Sequence, residues 1–275
     1  MYPNLIDLGS FTLPILGEVR LTLPSYGVMF ALGAIAAWFW FMRRGRTLGI
    51  DDDVLFNLGF WSLVAGLLGA KLALIAVEWR YYLENPWEIL GTLRSAGVLL
   101  GGVLAGAVTF LLYARRHRLP VTRLADAAAA PLALGQAVGR LGCFSAGCCY
   151  GVPASQGSAF AVTFSNPEAH AHTDVPLGIP LVPIQLIQMA SDLALAALLT
   201  VLWRRSRRPG VTAWSYVVLY GLARTTLENW RGDATRGLWF GGSLSTSQIV
   251  GLAGAAIGAL ALARQLTRPL PEGGR

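Results

Sequence analysis

A glycine-rich run near the middle of the chain contains its most reactive side chains. Residues 134–151 read LGQAVGRLGCFSAGCCYG and hold Arg140 together with all three cysteines. An arginine inside an apolar span costs about 2.5–3.5 kcal/mol on insertion scales, so it needs an anionic partner or ligand. Lys71 and Arg224 also fall within or at the edge of apolar stretches. Cations that converge in this way suit the phosphate of a lipid headgroup.

The three cysteines leave three interpretations open. They fit small buried hydrophobic side chains, a disulfide between Cys143 and Cys148, or a reactive thiol whose pKa is lowered by Arg140. A vicinal bridge between Cys148 and Cys149 would be strained. The C-x4-C-C spacing is poor for zinc because no further cysteine or histidine lies nearby. We therefore expect no metal and no cofactor.

Few side chains in the apolar region can carry a proton. Glu228 follows Arg224 by four residues and is the best-placed base, although pairing with arginine would lower its pKa. His170 and His172 lie in a polar segment, which favours a surface position and leaves open a part in substrate handling. Asp192 falls inside an apolar stretch and is interpreted as a packed polar partner without an assigned role.

Composition indicates the structure that must position these groups. The 275 residues are 54% hydrophobic and only 13% charged, which is typical of a polytopic membrane protein and not of a soluble domain. The N-terminus lacks the basic region and cleavage pattern of a signal peptide. We predict an all-α fold, a seven-transmembrane-helix bundle that forms one membrane domain over residues 1–275, with residues 152–182 as a small extracytoplasmic cap. The spans are expected at about 24–42, 54–77, 97–113, 124–141, 183–203, 211–227 and 247–263.

The fourth predicted span is the least regular. Asp126 lies near its start and Pro131 within it, so we expect it to be kinked or shorter than the bilayer. Glycines elsewhere, such as Gly66, Gly69 and Gly101, recur at spacings of three or four and favour close approach of helix backbones. These features predict a tightly packed bundle.

Basic residues give the orientation in the membrane. Clusters follow the first, third, fifth and seventh spans: Arg43, Arg44 and Arg46; Arg115, Arg116, Arg118 and Arg123; Arg204, Arg205, Arg207 and Arg208; Arg264, Arg268 and Arg275. The positive-inside bias places these ends in the cytoplasm, the N-terminus outside and the C-terminus inside. These loops account for the net charge of +7, so we expect anionic membrane lipids and no nucleic acid as partners. The basic residues left at outer ends or within spans are Arg20, Lys71, Arg80, Arg94, Arg140, Arg224, Arg231 and Arg236.

Several short motifs follow one another along the chain in a recognisable order. They are Ser25-Tyr26-Gly27, Leu68-Gly69-Ala70-Lys71-Leu72, Gly139-Arg140-Leu141-Gly142 through Tyr150-Gly151, Pro183-Ile184-Gln185-Leu186, Tyr220-Gly221 with Arg224, Glu228 and Arg231, and Gln248 at the start of the last span. From about residue 22 to about residue 255, this order resembles the phosphatidylglycerol–prolipoprotein diacylglyceryl transferase family.

The resemblance implies an enzyme of the bacterial cytoplasmic (inner) membrane. It would move the diacylglyceryl group of phosphatidylglycerol to the lipobox cysteine thiol of preprolipoproteins, the first step of lipoprotein maturation, while glycerol phosphate leaves. The chemistry needs a thiolate and a stabilised phosphate leaving group. The implied catalytic residues are Arg140, Arg224, Tyr26 and Glu228, and the implied substrate-binding residues are Lys71, Gly142, Cys143, Gly151, Gln185, Arg231 and Gln248.

The chain also departs from the family pattern. Leu100 stands where the family usually has a histidine, and Lys71 replaces an arginine and loses its planar fork. Two asparagines and a glutamate of the family signature appear as Cys143, Ala146 and Cys148. The chain is therefore either a divergent member that retains the transfer or a paralogue that binds phospholipid without transferring it. An anion transporter is a weaker alternative because the sequence shows no internal repeat.

Overall fold

The computed structural model describes residues 2–13, 17–94, 97–155, 157–233 and 237–268. Arg236 and Arg275, which the sequence analysis names among the basic residues, lie outside the described residues. The side chains of Arg20 and Arg94 are also not described. The α-helices of the described part are α1 (Ser25–Arg46), α2 (Asp52–Val77), α3 (Trp79–Glu84), α4 (Leu99–Arg116), α5 (Val121–Ala146), α6 (Pro167–Thr173), α7 (Ile184–Arg205), α8 (Val211–Leu227) and α9 (Thr246–Thr267). The strands are β1 (Asn4–Leu13), β2 (Gly17–Pro24), β3 (Val162–Thr163), β4 (Pro180–Leu181), β5 (Leu238–Trp239) and β6 (Leu244–Ser245).

The mostly helical structure confirms a polytopic membrane protein. Each of the seven apolar stretches is helical. Among the described residues, five helices are long and apolar enough to cross a membrane: α1, α2, α4, α7 and α9. Helix α8 has 17 residues and spans only about 26 Å at 1.5 Å per residue. The more polar α5 has 26 residues with Pro131 inside it, or about 39 Å of helix, and its expected kink or short span stays a prediction.

The expectation of an all-α fold must be amended, because the N-terminus forms a β-hairpin. Strands β1 and β2 are antiparallel, with Ile6 opposite Leu23. Apolar and polar residues alternate in the VRLTL segment of β2, a period of two that suits a strand. The hairpin leads directly into α1, whose first residue is tied back by a hydrogen bond from the Ser25 backbone N–H to the Pro3 carbonyl at 2.8 Å.

The chain divides into two compact units, and the smaller comprises Met42–Leu124. Its centre is the α2–α4 pair, which glycines bring close together as the sequence predicts. A Cβ atom on Gly69 would lie 2.3 Å from the Cβ of Ala105, and one on Gly101 would lie 2.2 Å from the Cβ of Ala73. No larger side chain fits at either position without moving the helices apart.

The larger unit comprises Met1–Phe41 and Ala125–Arg275. Helices α5, α7 and α8 share a small-residue core in which Ala129 and Ala133 meet Leu195 and Leu199. Asp126 has a structural role there. Its carboxylate accepts hydrogen bonds from the backbone N–H groups of Gly210 at 2.6 Å and Ala213 at 2.7 Å, which caps the start of α8.

The described residues of 152–182 form a small folded segment between α5 and α7. It contains α6 and the β3–β4 pair. Phe164, Ala169, Val175 and Leu181 are buried together as a core of its own. The segment is therefore a defined substructure beside the signature residues that precede it.

Candidate active site

Arg140 lies near the end of α5 and lines a small pocket of the larger unit. The pocket has a volume of about 10 Å³, on the order of one water molecule. Asp192 of α7, together with Tyr220 and Arg224 of α8, also lines it. Within the described part of the chain, Arg140 forms no hydrogen bond and no ion pair. Its guanidinium is thus available to an anion that enters the pocket.

Arg224, by contrast, is paired inside the protein. Its Nη1 atom lies 2.6 Å from Oε2 of Glu228, and its Nη2 atom donates to Oγ of Ser247 at 3.2 Å. The same Glu228 oxygen lies 3.6 Å from Nη1 of Arg231. Glu228 is only 1% exposed, so its carboxylate is committed to these two guanidinium groups and is a poor candidate for a general base.

Arg231 is held in place just after α8. Its Nε atom donates to Oδ1 of Asp233 at 2.9 Å, and Nη2 donates to the other oxygen. Burial disfavours the charged guanidinium, but the hydrogen bond with Asp233 and the attraction to Cys149, Asp233 and Glu228 together outweigh this effect and raise the pKa of Arg231. Two carboxylates thus share its charge, and its sequence-based assignment to substrate binding stays a prediction.

Asp192 is a residue whose place in the site the sequence analysis did not recognise. It is buried in α7, lines the same pocket as Arg140, and interacts electrostatically with Arg140 and Arg224. Gln185, Gln188 and Asp192 occupy positions i, i+3 and i+7 of one helix, and all three are buried. That polar helical face is the sequence signal that could have revealed it.

Gln188 brings an unpaired amide to the pocket. It is 3% exposed, yet neither Nε2 nor Oε1 has a hydrogen-bond partner in the described part of the chain. A buried amide without partners costs about 1–3 kcal/mol. Together with Arg140, it gives the pocket an unpaired cation and an unpaired donor and acceptor.

Two glutamines from the predicted site have structural contacts. Gln185 donates from Nε2 to the carbonyl of Cys148 at 3.0 Å, which fixes the loop after α5. Gln248 forms a capping box at the start of α9, and its Nε2 atom donates to Oδ1 of Asn229 at 3.1 Å. Both side chains therefore hold the segments that carry the site.

Two signature glycines permit close contacts. A Cβ atom on Gly142 would lie 3.2 Å from the Cα of Tyr26, so the glycine allows α1 to approach the end of α5. Tyr26 is partly buried there and interacts electrostatically with Arg140. A Cβ atom on Gly151 would lie 2.2 Å from the carbonyl oxygen of Val182. Close packing therefore explains why residues 142 and 151 are glycines.

The three cysteines converge although the sequence spacing did not predict it. All are free thiols, so the disulfide between Cys143 and Cys148 is not formed. Their Sγ atoms all lie within 4.8 Å of one another. Hydrogen bonds from the thiols of Cys143 and Cys148 lower the pKa of Cys149, whereas hydrogen bonding with Cys143 and Cys149 raises the pKa of Cys148.

The other predicted residues lie apart from this pocket or outside its unit. Lys71 belongs to the smaller unit, where Nζ donates to the carbonyl oxygen of Thr92 at 2.5 Å. Its predicted contact with a lipid headgroup stays a prediction. His170 and His172 are exposed on α6, and Nδ1 of His170 lies 2.8 Å from the carbonyl oxygen of Val175.

Comparison with known proteins decides the family. A family model described as prolipoprotein diacylglyceryl transferase matches residues 14–264. The chain belongs to the prolipoprotein diacylglyceryl transferase family. The phosphatidylglycerol–prolipoprotein diacylglyceryl transferase 2 of Clostridium perfringens is 34% identical over 239 residues, which cover 86% of this chain and 90% of the relative. The corresponding transferase of Clostridium tetani is 34% identical over 87% of this chain and 92% of its own length, and that of Synechococcus elongatus is 29% identical over 98% and 90%.

The region that matches the prolipoprotein diacylglyceryl transferase family includes the whole candidate site. The matched region begins before Tyr26 and ends after Gln248, so it contains the pocket, the arginine–glutamate pairs and the cysteine cluster. Members of this family are described as transferases of a diacylglyceryl group to a prolipoprotein.

Proposed function

We propose that this chain transfers the diacylglyceryl group of phosphatidylglycerol to the lipobox cysteine thiol of prolipoproteins. The observation that carries the proposal is Arg140, a cation that lines a pocket without a hydrogen bond or ion pair among the described residues. The phosphodiester of phosphatidylglycerol gives this guanidinium a directly bound anion, which Asp192 does not provide despite its electrostatic interaction with Arg140. The names of the relatives specify the same lipid and the same class of acceptor.

The reaction is a substitution at a glycerol carbon. The thiolate of the peptide forms a C–S bond with the diacylglyceryl carbon while the C–O bond to phosphate breaks, and glycerol phosphate leaves. Negative charge increases on the phosphate as this bond breaks. Arg140 stabilises that charge with paired N–H donors, and removal of one such donor typically lowers kcat about 10²- to 10³-fold.

Arg224 acts beside Arg140 as the second phosphate ligand. The ion pair with Glu228 and the hydrogen bond to Ser247 restrict its guanidinium to one orientation. A preorganised donor costs no rearrangement when charge develops in the transition state. Glu228 therefore serves as a positioning residue, in place of the catalytic role implied by the family resemblance.

Polar groups around the arginines suit the rest of the headgroup. Gln188 offers a buried amide donor and acceptor without partners in the described chain. Tyr26 offers a hydroxyl within the electrostatic range of Arg140. Hydroxyl groups of a glycerol headgroup satisfy both, because each can donate and accept.

The membrane arrangement follows from charge and helix length. We propose that α5 and α8 cross the membrane together with the five apolar helices, which gives seven spans. Arginines end α1, α4, α7 and α9, so the positive-inside bias places the C-terminus in the cytoplasm and the N-terminus outside. This orientation puts the end of α5 and residues 152–182, as a cap, on the outer side of the cytoplasmic membrane, where secreted prolipoproteins emerge.

A transfer assay with purified protein tests the proposal. The protein in detergent micelles that contain phosphatidylglycerol is incubated with a lipobox peptide, and the intact peptide mass is measured. A mass increase equal to one diacylglyceryl group, absent with a peptide whose cysteine is replaced by serine and absent with phosphatidylethanolamine, supports transfer. Bound phosphatidylglycerol without any mass increase would instead identify a paralogue that only binds lipid.

A further inference from the structure

The thiols of Cys143, Cys148 and Cys149 form a cluster where α5 ends and the following loop begins. Cys143 lies in the last turn of α5, whereas Cys148 and Cys149 follow Gly147, whose φ is +84°. Cys149 itself has φ +55°, a left-handed conformation that costs a non-glycine residue on the order of 1–2 kcal/mol. The backbone at Cys149 is therefore strained in the conformation in which the three Sγ atoms lie close together.

Neither a disulfide nor hydrophobic packing accounts for a cluster of three thiols. All three thiols are free, and a disulfide would use two sulfurs and leave the third. Independent burial as small apolar side chains does not require three Sγ atoms within 4.8 Å. One ligand that satisfies three thiolates together is a thiophilic metal ion.

The distances between the three sulfur atoms, unlike the C-x4-C-C spacing of the sequence, suit tetrahedral zinc with one open position. Zinc binds thiolate sulfur at about 2.3 Å, which places the sulfurs of a tetrahedral site about 3.8 Å apart. The three Sγ atoms of this cluster, within 4.8 Å of one another, need to close by only about 1 Å at most to reach that geometry. Cys148 and Cys149 are partly exposed, so the cluster is accessible from the protein surface.

Charge near the cluster also favours a metal thiolate. Three thiolates and one Zn²⁺ carry a net charge of about −1, which a substrate thiolate raises to about −2. Arg140 interacts electrostatically with Cys143 and Cys149, and Arg231 interacts with Cys149. These cations stabilise the anionic complex and place it beside the proposed phosphate site.

We propose that Cys143, Cys148 and Cys149 bind one zinc ion, whose fourth position receives the thiol of the lipobox cysteine. This inference rests on the proposed transfer function. The peptide sulfur displaces water from zinc and releases its proton to solvent, because a coordinated thiol is deprotonated. The zinc-bound sulfur then forms the C–S bond as the C–O bond to phosphate breaks, and Arg140 receives the leaving phosphate. The proposed site thus provides the thiolate without a general base.

Metal content tests the site without reference to activity. The protein is purified without chelators, supplied with zinc and dialysed, and its metal is measured by mass spectrometry. We expect about one zinc per chain with a sulfur shell at about 2.3 Å in X-ray absorption. Cys143→Ser, Cys148→Ser and Cys149→Ser should each lose most of it, whereas Ser145→Ala in the same helix should keep it. Wild-type protein with three titratable thiols and no zinc, or with copper(I) only, would overturn the proposal.

Cobalt substitution tests the fourth position. The cobalt(II) protein should show a sulfur-to-metal charge-transfer band, and a lipobox peptide should strengthen it while the serine peptide leaves it unchanged. An unchanged spectrum with saturating cysteine peptide contradicts thiol coordination. Transfer that continues at the full rate in metal-free protein overturns the zinc role and leaves the proposed function intact. A normal zinc site with no transfer under any condition instead refutes the proposed function.

Discussion

The Nη1 atom of Arg224 lies 2.6 Å from the Oε2 atom of Glu228, whose side chain is almost fully buried. Two consequences follow from this pair. It removes Glu228 from consideration as a free base, and it makes the orientation of Arg224 depend on one carboxylate. A substitution of Glu228 should therefore alter the orientation of Arg224, although Glu228 itself is not proposed to contact the substrate.

Glu228→Gln should destabilise the protein as well as impair transfer. Removal of one partner from a buried ion pair costs about 3–5 kcal/mol, because the remaining charge stays buried and unpaired. Thermal unfolding in detergent measures the effect, with Glu84→Gln as the control because Glu84 is exposed on α3. Equal unfolding temperatures for both variants would contradict the structural role assigned to Glu228.

Gly151→Ala should destabilise the signature segment. Its Cβ atom would lie 2.2 Å from the carbonyl oxygen of Val182, and overpacking of this kind typically costs about 1–3 kcal/mol. Gly139→Ala is the matched control, since nothing lies within 4 Å of its added Cβ atom. Unfolding and transfer are measured for both variants. If the two behave alike, packing does not explain Gly151.

Hydropathy predicted the helices because an apolar stretch near 20 residues has few alternatives to a helix in a bilayer. It did not predict the β-hairpin before Ser25, because strands β1 and β2 precede the first apolar stretch of membrane-spanning length. Asp192 was not assigned to the site because it was considered alone, without the i, i+3, i+7 pattern that it forms with Gln185 and Gln188 on α7. The cysteine cluster was missed because the left-handed turn at Cys149, which brings the thiols together, has no signature in C-x4-C-C.

Gln188→Leu should separate stability from function. Leucine has a similar volume and removes a buried amide without partners in the described chain, so the lipid-free protein should be as stable as the wild type or more stable. Transfer should fall, with a higher KM for phosphatidylglycerol, because a headgroup contact is lost. Gln185→Leu, which removes the bond to the Cys148 carbonyl, should instead lower stability. Unchanged KM in Gln188→Leu would remove this residue from the headgroup site.

His170→Ala and His172→Ala should each leave transfer within about a few fold, below the 10²- to 10⁴-fold loss expected when a general base is removed. Both side chains are exposed on α6, and His170 contacts a backbone carbonyl of its own segment. Initial rates of peptide modification across a pH series measure this. A loss of two orders of magnitude in either variant would place that histidine in the reaction.

The rate of peptide diacylglycerylation by Arg140→Lys is the most direct test of Arg140 as the phosphate ligand. Lysine keeps the positive charge but loses the planar pair of donors, so we expect a rate at least about tenfold lower, with Arg140→Gln lower still by the scale of a lost charged donor. Thermal unfolding should change little in either variant, because Arg140 makes no hydrogen bond within the described chain. A wild-type rate in Arg140→Lys, at limiting as well as saturating phosphatidylglycerol, would contradict the account.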